Sequence, residues 1–205
     1  MPIPLGLPGL ENVVPEIPDG RILVVEGGTD PTKSFFARHI ARQAAVEDRL
    51  VTLVTSRGAE EIVAHYERHD GAPEALRVHE AAAWDDMEAG LGETSDLVVD
   101  SFSFLALSAT RQELTQGLRA MRARCRATGD VAVLSMERGM LDAAAEAVVH
   151  HLADGILQFH VREDTEGIVQ YVRIPRWMDG GVHTRNIYYS FDGRRILVDT
   201  RNRVN

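Results

Sequence analysis

The chain of 205 residues can bury a substantial core, and its 44% hydrophobic and 26% charged residues are the balance of a soluble globular fold rather than a disordered one. A net charge of −9 works against broad attraction to nucleic acid or anionic lipid, no apolar run approaches the roughly 20 residues of a membrane span, and the single Cys125 supplies no disulfide framework. With no basic and apolar leader, a cytoplasmic location and one domain over 1–205 are expected.

Residues 1–20 carry five prolines and read as an extended lead-in that packs on the surface or on a neighbouring subunit. RILVVE (21–26) is the first strand candidate; it passes through GGTDPTKS (27–34) into helical spacing over 33–47. LVTLVT (50–55) reads as a strand, 59–69 as a helix and LRVH (76–79) as a strand. The acidic stretch WDDMEAGLGE (84–93) reads as a solvated helix before the strand DLVVD (96–100). A helix over 110–127, the strand VAVLSM (131–136) and a helix over 141–152 follow. This alternation predicts an α/β fold, a mostly parallel sheet flanked by helices. Beyond residue 154, consecutive strand patterns joined by short polar turns predict an antiparallel extension over 155–199.

The stretch 27–34 carries the strongest chemical signal. In G-x-x-x-x-G-K-[ST], backbone amides cradle phosphates, the Lys reaches the terminal phosphates and the hydroxyl coordinates Mg²⁺. Gly27, Lys33 and Ser34 stand in their places, after a predicted strand and at a predicted helix start. Lys33 is the sole lysine; the other 21 of the 22 basic residues are Arg. Three positions depart from the pattern. Thr32 replaces the second Gly and sets a branched side chain where the ligand should approach, in a conformation that favours Gly. Pro31 removes one amide donor, and Asp30 adds an anion beside the phosphates. At on the order of 1 kcal/mol each, the three together lower affinity by about two orders of magnitude. Asp100, ending its apolar strand, occupies the place where such proteins hold their metal.

The loop, the acidic strand and their order give the chain a resemblance to the RecA superfamily, most of all to its KaiC-type branch. GLPGLENVVPEIPDGRILVVEGG resembles the family's opening, LVVDSFSFLAL its Asp-Ser strand, RQELTQGLRAMRARCRATGDVAVLSMERG its next helix and sensor strand, and IPRWMDGGVHTRNIYYSF its terminal hairpin. The resemblance implies ATP and Mg²⁺ as ligands. It places Gly27, Gly28, Thr29, Asp30, Pro31, Thr32 and Lys33 around phosphate, Ser34 and Asp100 on Mg²⁺, and Ser135 as the polar sensor. It also implies ring-like self-association. The family's catalytic acid should follow the strand ending at Thr55. Ser56, Arg57 and Gly58 stand there instead, and Glu60 and Glu61 come later as the remaining candidates. The hairpin's basic pair, which contacts the neighbour's phosphate in ring-forming members, is reduced to Arg176.

Other constellations read as ordinary surface or packing. His65 and His69 have the spacing of a metal pair on one helix face but no evident third ligand, and His150 and His151 suit a helix C-terminus. Cys125 reads as a packing residue, Tyr188 and Tyr189 as strand residues able to stack a base, and the Arg-rich stretches 119–126 and 194–203 as solvated faces. The sequence is therefore read as a RecA-like regulatory or assembly component with a decayed nucleotide site and little or no hydrolysis. It is expected to be a homo-oligomer with a regulatory protein partner and no membrane, nucleic acid being disfavoured. The alternatives are an active ATPase using Glu60 or Glu61, and a recombination accessory protein that binds DNA or a recombinase.

Overall fold

The aliphatic runs of the sequence become the centre of one sheet in the computed structural model, which describes residues 1–14, 16–69, 71–89, 95–165, 167–178 and 181–199. The order is β1 (Ile3–Pro4), β2 (Glu16–Ile17), β3 (Ile22–Gly27), α1 (Thr32–Val46), β4 (Val51–Thr55), α2 (Ala59–His69), β5 (Leu76–Glu80), α3 (Trp84–Ala89), β6 (Asp96–Asp100), α4 (Phe102–Ala106), α5 (Arg111–Thr128), β7 (Ala132–Glu137), α6 (Ala143–Leu152), β8 (Gly155–Asp164), β9 (Gly167–Trp177), β10 (Gly181–Phe191) and β11 (Ile196–Val198). Residues 90–93 of the acidic stretch, Asp179 of the hairpin, residues 200–203 of the basic tail and the side chain of His69 lie outside the described residues.

The nine-stranded sheet has the order β11-β10-β9-β8-β3-β7-β6-β4-β5. From β8 to β5 all pairings are parallel, and from β8 outward to β11 all are antiparallel, as the sequence pattern predicts. Every residue of β3, β4 and β6 is buried, which explains why these strands read as unbroken aliphatic runs rather than alternating ones. One core layer lies under α1, with Phe36, Ile40, Val25 and Phe159; the other lies under α5 and α6, with Leu114, Leu118, Leu134 and Val149.

Local chemistry fixes the helix ends on that second layer. Thr110 and Glu113 form a reciprocal capping box at the start of α5, and Gly129 ends it at φ 82. Asp142 accepts from the Ala145 amide to cap α6.

The lead-in differs from its sequence reading. β1 pairs with β2, and Ile3, Leu5, Leu7, Leu10, Val14 and Ile17 are buried in the core layer beneath α1 of the same chain. The prolines limit strand length, while the aliphatic residues between them supply a hydrophobic strap. Among the described residues no helix is long and apolar enough to cross a membrane.

Candidate functional site

At the C-terminal ends of the parallel strands, a cleft of about 260 Å³ opens between the 27–34 loop and the segments following β4, β6 and β7. Crevices at this end of an open α/β sheet are where such folds bind ligands. Lys33, Ser34, Thr29, Asp30 and Pro31 line it from the loop, Ser56 and Arg57 from the end of β4, and Ser135 and Glu137 from β7. The fold thus gathers most of the residues singled out in the loop, together with the sensor serine.

Within the loop, the Asp30 and Lys33 side chains bond to the loop's own backbone. The Asp30 carboxylate accepts from the Thr32 amide at 3.0 Å. The Lys33 ammonium donates to the Gly28 carbonyl at 2.5 Å and to the Asp30 carbonyl at 3.3 Å, and stands 3.6 Å from Glu137 Oε2. Pro31 occupies the N-cap of α1 and offers neither an amide nor a side-chain cap. No residue of 27–34 has a positive φ, so the alternating-handed nest that points successive amides at an anion is not formed.

Thr32 corrects its sequence expectation. It opens α1 with an ordinary backbone, and its fully buried side chain does not line the cleft. Its hydroxyl lies near that of Tyr189 without a hydrogen bond of good geometry. The substitution removes backbone freedom without placing a branched side chain in the path of a ligand.

Asp100 is fully buried at the end of β6, and Arg38 of α1 clamps its Oδ2 through Nε at 2.8 Å and Nη2 at 2.6 Å. Asp100 Oδ1 is buried with no hydrogen bond, and Asp100 does not line the cleft, whereas Ser34 does. The two residues assigned to Mg²⁺ are therefore in different settings. Ser101, immediately after Asp100, sits in the left-handed region at φ 71. Ser103 Oγ accepts from the Glu137 amide at 2.6 Å, tying the start of α4 to the end of β7. Ser135 is fully buried, and its hydroxyl makes no hydrogen bond.

Glu60 and Glu61 lie exposed in the first turn of α2 and are not among the cleft residues. Arg57, two residues beyond β4, lines the cleft at the place where the sequence reading looked for an acid. The cleft thus combines Lys33 and Arg57 with Asp30 and Glu137, a balanced set of charges. Sequence reasoning missed Glu137 and Arg38. The available signals were an acid two residues after the sensor position and an arginine one helical turn beyond Ser34.

Arg176 is tied to its own chain. Its Nη1 donates to the carbonyls of His150 at 2.6 Å and Ala153 at 3.1 Å, closing the C-terminal end of α6. Just upstream of the loop, the buried Glu26 receives His150 Nε2 at 2.6 Å and Gln158 Nε2 at 2.7 Å. The hydrogen bond to Glu26 is the main cause holding the His150 pKa above the usual imidazole value, against a smaller opposing effect of burial.

Residues 17–205 match a sequence family described as a family of unknown function (DUF7125). No curated protein matches the chain. Among solved structures, the KaiC-like protein PH0186 from the hyperthermophilic archaeon Pyrococcus horikoshii OT3 superposes with a TM-score of 0.76 at 18% identity, over 97% of this chain and 99% of that one. The flagellar accessory protein FlaH from Methanocaldococcus jannaschii superposes with a TM-score of 0.78 at 16% identity, over 97% and 98%. The fold is therefore KaiC-like and RecA-type.

Proposed function

We propose that this chain, which belongs to the family of unknown function DUF7125, is a KaiC-like P-loop domain whose nucleotide site is held by its own side chains. It binds ATP weakly or not at all, hydrolyses little or none, and serves as a regulatory or assembly component. The observation that carries this reading is the internal pairing of the loop, with the Asp30 carboxylate on the Thr32 amide and the Lys33 ammonium on the Gly28 carbonyl beside Glu137. A triphosphate would have to displace one carboxylate and approach another in a cleft whose charges already balance. The Mg²⁺ position is equally altered, since Arg38 already supplies the cation at Asp100. As arranged, these residues do not fit Mg²⁺ and ATP.

Hydrolysis needs cradle, water-positioning carboxylate and charge stabilisation together. The exposed setting of Glu60 and Glu61 supports their absence from such chemistry, and the inward turn of Arg176 argues against action on a neighbour's phosphate. For assembly, Phe104 of α4, which lines the cleft, and Leu107 just after α4 are exposed, an apolar pair suited to a self-association contact.

Calorimetric titration with ATP, with and without Mg²⁺, tests the reading alongside a phosphate-release assay. Affinity in the sub-millimolar range or weaker, without turnover, is the expected result. Low-micromolar, Mg²⁺-dependent capture, or turnover that disappears in Glu60→Gln, would replace it with an active ATPase.

A further inference from the structure

We propose that the groove along the outer side of α1 is a second binding site, for a small phosphorylated molecule that carries a flat apolar ring. The groove encloses about 320 Å³, within the roughly 300–1,000 Å³ typical of small-molecule sites. Phe35, Arg38, His39 and Arg42 lie at successive helical positions along one side of α1 and line it. Tyr66 of α2 faces them, and Arg194 and Arg195 close the far side from the turn before β11. Leu7 of the strap and Ile196 supply apolar surface.

Charge sets the ligand class. Among the described residues, four arginines and no carboxylate line the groove, in a chain of net charge −9. Arg38 has its partner, Asp100, outside the lining, and Arg195 meets Asp192 at 3.4 Å on the exposed rim. Guanidinium groups present planar forks that match phosphate oxygens two at a time, and a cluster of them on a partly apolar wall suits a phosphate joined to an uncharged body.

Ring geometry sets the other half. Phe35 stacks near-parallel to His39 at 6.5 Å and 11°, and packs against Phe191 at 5.0 Å, so the wall is held from behind. His39 donates from Nε2 to the Leu5 carbonyl at 3.0 Å, and burial holds its pKa below the usual value. The imidazole therefore adds a flat neutral face and leaves the charge to the arginines. None of residues 27–34 lines the groove, and Arg38, paired with Asp100, is the residue the groove shares with the loop reading.

The test is calorimetry on the full chain with AMP, ribose 5-phosphate, inorganic pyrophosphate and adenosine. It is repeated on Arg42→Gln, on the rim variant Arg194→Ala with Arg195→Ala, and on Lys33→Ala. AMP is expected to bind most tightly of the four, to weaken about tenfold or more in either groove variant, and to be unchanged in Lys33→Ala. The exposed rim variant keeps the test valid should Arg42→Gln fail to fold. The proposal is overturned by no saturable binding of any phosphate probe, by equal affinity for all three, or by AMP binding that Lys33→Ala removes while the groove variants retain it. Tight ATP binding lost in Lys33→Ala would refute the loop reading alone.

Discussion

Arg38 Nη2 lies 2.6 Å from Asp100 Oδ2, and the carboxylate it neutralises has no exposed surface. A buried ion pair adds little net stability, yet removing one partner strands a desolvated charge. Arg38→Ala is therefore expected to cost about 3–5 kcal/mol in urea denaturation, whereas Arg38→Met combined with Asp100→Leu should recover most of it. A loss in the single variant no larger than an ordinary surface change would show that Asp100 finds another partner.

Asp30 acts as the loop's own anion. Removing its carboxylate frees the Thr32 amide and takes one negative charge from the cleft. Asp30→Ala should therefore raise affinity for a fluorescent ATP analogue by about tenfold, since one released donor and one removed repulsion are together worth on the order of 1.4 kcal/mol. Unchanged or weaker binding would mean that the carboxylate does not hold the loop closed.

The His150 and Glu26 pair makes stability depend on pH. A histidine whose folded pKa is raised above its unfolded value contributes stability that is fully present below the unfolded pKa, about 6.5, and is lost as pH rises through the folded value. His39 and His160 are shifted the other way, mainly by burial, and their contribution is lost as pH falls. The pair is isolated by difference. Wild type minus His150→Gln, compared as urea midpoints, should decline as pH rises above about 6.5. A flat difference across that range would place the pairing outside the energetics of folding.

The central sheet was legible because its strands are buried on both faces and their aliphatic runs are unbroken, and α5 because its capping box and terminal Gly129 are local signals. The loop's place between a strand and a helix was legible by motif, and Lys33 and Ser34 line the cleft beside it. What the loop does with its polar groups was not legible. The Lys33 contact with Glu137 and the Arg38 contact with Asp100 join segments 104 and 62 residues apart, and no local pattern fixes which long side chain meets which carboxylate. Thr32 was misplaced because the pattern records the residue that is missing and gives no direction for the side chain that replaces it.

The strap was misread for a related reason, and the difference can be measured. Prolines suggested a surface segment, but Leu5 and Val14 are fully buried and Leu10 nearly so, all in the core layer beneath α1. The strap is also pinned electrostatically: the Met1 ammonium meets Asp19 at 2.9 Å, and Arg49 bridges Asp19 at 2.8 Å and Asp96 at 2.5 Å. If these leucines belong to their own chain's core, Leu10→Ala should cost about 2–5 kcal/mol at every protein concentration. A strap packed on a neighbouring subunit would give a cost that shrinks on dilution, because the wild-type contact would then follow mass action and be lost with it. Urea denaturation at two concentrations about a hundredfold apart separates the cases, since an intersubunit contact at one site would shift apparent stability by about 2.7 kcal/mol over that range. Equal values at both concentrations assign the strap to the chain that carries it.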